Sequence, residues 1–102
     1  MGAVRERAVT MGQIADIYQA RGQLDEALRI WHQDALPVYE RLGDVRSLLI
    51  GRAKLALIRL ERGHPGDREA AAELLRLALR DAETMRIPEA AQIRAIQQKH
   101  GL

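Results

Sequence analysis

The side chains able to do chemistry in this chain are few and scattered. His32, His64 and His100 fall too far apart for the i, i+4 spacing that sets two imidazoles on one helix face around a metal. There is no cysteine, which removes thiolate metal sites, disulfides and a cysteine nucleophile. Ser47 has no His and Asp pattern beside it to activate its hydroxyl. Asp25 and Glu26 are adjacent carboxylates, placed where acids serve a helix start and its dipole. The glycines are dispersed and form no phosphate-cradling GxxxxGK[ST] loop. The expectation is a non-enzyme with no catalytic residue, no cofactor and no metal.

What remains is a scaffold. The 102 residues are 47% apolar but only 3% aromatic, with no Phe. A core of Leu, Ile, Val and Ala suits closely packed helices, and the length is that of one domain, 1–102. The formal charge is +2, from 16 basic and 14 acidic residues. Arginines are spread along the chain with acids beside them, not gathered into the stripe of a nucleic-acid binder. No apolar run approaches membrane-spanning length, so no membrane association and a cytoplasmic location are expected.

Helical periodicity is legible along the whole length. Met11, Ile14, Ala15 and Tyr18 make one face of a helix over 4–20, closed by Gly22. A second helix over 25–42 carries Leu24, Leu28, Trp31, Ala35, Val38 and Leu42 in steps of three and four. Trp31 belongs to that core stripe. Pro37 lies inside it and predicts a kink. A third helix over 45–62 is apolar on more than one side. A fourth over 68–85, capped by Asp67, buries Ala71, Leu74, Leu75, Ala78, Ala82 and Met85. A fifth over 88–100 opens at Pro88 and has a narrow stripe of Ala90, Ile93 and Ile96.

These helices repeat. Setting Gly22 on Gly63 matches Ile14 with Leu55, Ala15 with Ala56, Ile17 with Ile58, and Val4-Arg5 with Val45-Arg46. Beyond the longer turn GHPGD, Ala27 meets Ala71 and Trp31 meets Leu75. Repeat one covers about 4–43, repeat two about 45–87, and a terminal helix about 88–100. Ala15 and Ala27, and their equivalents, are the small residues that let paired helices cross closely.

Met11-x2-Ile14-Ala15-x2-Tyr18 followed by Ala27-x3-Trp31 resembles the tetratricopeptide pattern W-x2-L-G-x2-Y, A-x3-F. The second unit follows it with Arg52 and Arg59 at positions where large apolar residues are usual. The unit exceeds the common one of about 34 residues. It is similar to the long-helix variant of kinesin light chain and of bacterial regulatory arrays. The resemblance implies an all-α fold of five helices, in antiparallel hairpins stacked as a right-handed α-α superhelix. It also implies a C-terminal piece of a longer array.

It further implies a non-catalytic protein–protein interaction scaffold, binding a peptide or partner helix on the concave face lined by the first helix of each pair. That face is expected at Gly12, Gln13, Asp16, Gln19, Lys54, Leu57 and Glu61. The Lys/Asn/Arg clamp that holds a peptide carboxylate in some of these domains is absent. The alternative function is a non-catalytic sensor, regulatory or self-association segment of a larger enzyme or signalling protein. At the N-terminal end, Val9, Ile17 and Ala20 stand beside the core face without cover, so a weak homodimer through that end is expected.

Overall fold

The computed structural model describes residues 2–102, with side chains described from residue 3. Among these residues there are five helices and no strand. We label them α1 (Gly2–Ala20), α2 (24–42), α3 (Val45–Arg62), α4 (Asp67–Met85) and α5 (Glu89–His100). The α1–α2 pair packs against the α3–α4 pair mainly through α2 and α3, and α5 closes the far side of α4.

Helix ends follow one rule. After α1, Gly22 turns left-handed (φ 76°), and the Gln23 amide reaches back to the Tyr18 carbonyl at 2.9 Å while the Gly22 amide bonds Gln19 at 3.0 Å. This is the Schellman closure, which a residue without a Cβ adopts without steric cost. The same pair of bonds closes α2, α4 and α5. At α4 the left-handed residue is Arg86 (φ 56°).

Ala15, Ala27, Ala56 and Ala71 are each fully buried, as the helix crossings require. The repeat also has a structural signature. Arg5 Nε donates to Asp44, at the start of the next hairpin, at 2.8 Å. Its repeat equivalent, Arg46, donates from Nε to Glu89 at the start of α5 at 2.9 Å. Each first helix thus clasps the beginning of the helix that follows it in the stack.

Pro37 marks the helix with a change of winding. It carries no amide hydrogen for the Gln33 carbonyl, and its ring crowds that carbonyl. The rod α2 answers one turn earlier, with a π-helical segment over Ile30–Ala35 between α-helical segments Leu24–Arg29 and Leu36–Leu42. In π winding, residues five apart stand above one another. Ile30 with Ala35, and Trp31 with Leu36, are all buried as a result. The uniform stripe expected to end at Val38 and Leu42 is therefore corrected: Leu36 and Tyr39 take the core positions, and Leu42 is 47% exposed. Met85, also expected inside, is 42% exposed at the end of α4.

Asp67 is not the cap of α4 either. Gly66 occupies the cap position, and Asp67, the first residue of the helix, is 1% exposed. Its carboxylate accepts four hydrogen bonds. Arg62 gives a two-pronged fork (Nε 2.8 Å, a terminal nitrogen 2.8 Å), Arg59 gives one at 3.0 Å, and the His64 amide one at 2.9 Å. The third nitrogen of Arg62 reaches Asp25 at the start of α2, at 2.9 Å, and ties the two hairpins together. Arg52, the other departure from an apolar pattern, pairs with Asp81 of α4 at 3.4 Å. Both arginines thus sit where a carboxylate on the neighbouring helix receives them.

Candidate partner-binding groove

Of the residues expected on one face of the first helices, Gly12, Gln13, Asp16 and Lys54 come together around Trp31. Trp31 is 5% exposed, and its benzo edge points between α1 and α3. A Cβ on Gly12 of α1 would lie 2.7 Å from its ring, and one on Gly51 of α3 would lie 3.1 Å from it. The two glycines are therefore close-approach positions, where only a bare backbone admits the indole. Gly12, expected to face a partner, is instead buried as part of the floor.

Above this floor Lys54 of α3 donates to Asp16 of α1 at 2.8 Å, with about 40% of each side chain still exposed (39% and 42%). The Lys54 ammonium lies 6.0 Å from the Trp31 ring centre, at the outer limit of a cation–π contact. Val9, Gln13, Ile50 and Ser47 complete a hollow of about 180 Å³ between α1 and α3. A second hollow of about 170 Å³ lies between α3 and α5, walled by Leu49, Ile50, Ala53, Leu57, Ile93 and Ile96. Ile50 and Lys54 border both, so the two hollows lie side by side on α3, and together they are called the groove. Its second half is almost wholly apolar. At that end Glu89 gives one carboxylate oxygen to the Arg46 fork at 2.8 and 2.9 Å, while its other oxygen is buried without a partner. The Arg46 hydrogen bonds hold the Glu89 carboxyl below its ordinary range.

Of the remaining expected residues, Gln13 is an exposed rim residue and Leu57 is half-buried in the groove. Gln19 and Glu61 lie outside both hollows. Ile93, expected in the core, is buried there and also walls the groove, with Ile96 packed beside it; Ile50 is a groove residue outside the expected set. Ile50 was findable, standing one heptad before Leu57 on the same helix face.

Larger hollows exist elsewhere. One of about 360 Å³ runs between α2 and α4, past His32, Glu40, Arg52 and Arg59. Another of about 540 Å³ lies along the outer side of the first hairpin, past Arg7, Met11, Asp34 and Val38. In the first of these, Arg52 and Arg59 are already engaged by Asp81 and Asp67. The α3–α5 half of the groove differs from both in having the less polar lining. Among the described residues, no three of His, Cys, Asp and Glu come together as a metal site would need. Nor is any helix among the described residues long and apolar enough to cross a membrane. No protein-family model, curated protein or solved structure matches this chain.

Proposed function

We propose that this chain is a non-catalytic protein-interaction module, a tetratricopeptide-like right-handed stack whose α1–α3–α5 groove receives an apolar segment of a partner protein. The observation that carries this is the adjacency of the two hollows, which share Ile50 and Lys54 as lining residues. A small molecule needs one enclosed pocket, whereas a shallow apolar channel across successive helices matches an amphipathic helix presenting anchors at i, i+3 and i+7. The Asp16–Lys54 pair supplies one charge of each sign in mid-channel, which suits a mixed-charge segment better than an acidic tail. The partner is protein; no nucleic acid, membrane or cofactor enters the proposal, and the setting is cytoplasmic.

A peptide-display selection against the whole chain, followed by NMR shift mapping, tests this. Selected peptides should be amphipathic, should shift Ile50, Ala53, Leu57 and Ile96, and should lose binding to Leu57→Asp while Glu61→Lys binds as wild type. Peptides that map outside the groove, or that bind Leu57→Asp unchanged, would refute it.

A further inference from the structure

α1 and α3 stand one repeat apart, and they use the same strip of side chains in opposite ways. On α3 the strip is Ser47, Gly51, Lys54, Ile58 and Arg62, and every member meets the first hairpin. Ser47 Oγ accepts from Arg5 at 3.3 Å, Gly51 lies under Leu36 and Trp31, Lys54 binds Asp16, and Arg62 binds Asp25. Ile58 is fully buried in one cluster with Ala27 and Ile30. On α1 the equivalent strip is Glu6, Thr10, Gln13, Ile17 and Arg21. All five are exposed, and Ile17 is 52% exposed where Ile58 is 0%. Glu6 and Arg21 have no ion-pair partner among the described residues.

We infer that this strip of α1 is a self-association surface, and that its occupant is the same strip of a second copy, packed antiparallel about a two-fold axis between Gln13 and Ile14. The charge pattern selects that occupant. In the antiparallel register, Glu6 comes level with Arg21 of the partner subunit, twice over by symmetry. Ile17 comes level with the partner's Thr10, beside the stem of the partner's Gln13. A parallel pairing would set Glu6 against Glu6 and Arg21 against Arg21. A two-fold contact between identical patches is also the commonest closed assembly. Of the residues expected in this surface, Ile17 is its one large apolar member and Ala20 flanks it. Val9 instead faces the groove between α1 and α3. The surface borders the groove at Gln13, which lines both, and it does not depend on the function proposed for the groove.

The contact is one helix wide, so the dimer forms at high concentration and dissociates on dilution. Sedimentation equilibrium or light scattering on the 102-residue chain, from low to several hundred micromolar, should show the mass rising from one chain toward two. Ile17→Glu should hold it at one chain with unchanged helical circular dichroism. Glu6→Arg alone and Arg21→Glu alone should each be monomeric, because each creates two like-charge contacts. Mixed together, the two variants should form a heterodimer in which both contacts are complementary again. A wild type that stays monomeric throughout, a dimer indifferent to Ile17→Glu, or single variants that fail to pair on mixing would each overturn the inference.

Discussion

In the first hairpin the largest buried side chain is Trp31, and room for it is made by Gly12 and Gly51 on two other helices. In the second hairpin the equivalent position is Leu75, fully buried among Ala71, Ala78 and Ala82 of its own helix and without any glycine opposite. The second hairpin places its unusual group elsewhere, in the Asp67 carboxylate under two arginines. The polar accounts also differ. Trp31 Nε1 is buried with no partner, while both oxygens of Asp67 are filled by donors. One hairpin is held by shape and tolerates an orphaned donor to keep its wedge. The other is held by alanine packing and an ion cluster whose carboxylate is filled, although Arg59 Nε there is likewise buried without a partner.

The sharpest way to break this contrast is to remove each device in turn. Trp31→Ala should cost about 3–5 kcal/mol, because the cavity it leaves is bounded by helix backbone that cannot collapse into it. Denaturant midpoints measure this directly. A loss below about 2 kcal/mol would mean the wedge is not what holds the first hairpin. Asp67→Ala should come next, at about 3 kcal/mol, since it strands Arg59 and Arg62 around an empty site.

The two devices also differ in their response to pH. The Arg62 fork holds the Asp67 carboxyl far below the usual carboxylate range, against the opposing effect of burial, with the His64 amide and Arg59 reinforcing it. A depressed folded-state value means the stabilisation is complete above the unfolded value of about 3.9 and drains away as pH falls below it. Urea midpoints taken from neutral pH downward should therefore fall more steeply for wild type than for Asp67→Asn. Trp31→Phe should follow the wild-type slope. Parallel slopes for wild type and Asp67→Asn would show that the cluster contributes no acid-sensitive stability.

A subtler probe asks whether the wedge is tight. Alanine normally gains about 1 kcal/mol over glycine inside a helix. Gly12→Ala should instead be destabilising by about 1 kcal/mol, because its methyl would meet the rigid end of the indole. Gly51→Ala should be milder, since the atom it approaches most closely is the rotatable tip of Leu36. With Trp31→Leu in the background, Gly12→Ala should turn stabilising. Additive effects in that double variant would separate Gly12 from Trp31.

Much of the fold was legible because its punctuation is local. Gly22, Gly43 and Gly63 end helices through φ values that favour glycine, and a 3.6-residue apolar period needs no knowledge of neighbours. The groove was half legible: Asp16, Lys54 and Leu57 follow from the helical face, but Ile93 and Ile96 join them only once α5 docks beside α3. The wedge was hidden, because Gly12 and Gly51 are not equivalent in the repeat and nothing in the spacing links them to Trp31. Asp67 stood where a capping residue belongs, Arg59 stood where the repeat pattern takes an apolar residue, and nothing in the spacing linked Arg59 or Arg62 to Asp67. Pro37 announced a defect, but its position falls a turn earlier and shifts the register of everything after it.

The smallest expected effect concerns the two ends at which the hairpins close. Gly43 after α2 and Arg86 after α4 make the same backbone bonds, to the carbonyls three residues before each and, from the residue after, to Tyr39 and Ala82. Their φ values are 66° and 56°. For arginine that left-handed conformation carries a penalty of about 1–2 kcal/mol from its Cβ. Glycine has no such penalty, but it gives up about 0.5–1 kcal/mol of extra backbone freedom on folding. The balance favours glycine by up to about 1 kcal/mol, so Arg86→Gly should stabilise the chain and Gly43→Arg should destabilise it by a similar amount. Arg86 is exposed, so its loss should cost the fold little packing. A chain of this size would register such a change as a shift of a few degrees in Tm. If Arg86→Gly leaves Tm unchanged or lowers it, the Arg86 side chain contributes an interaction that offsets its backbone strain, and the two hairpin ends are not equivalent.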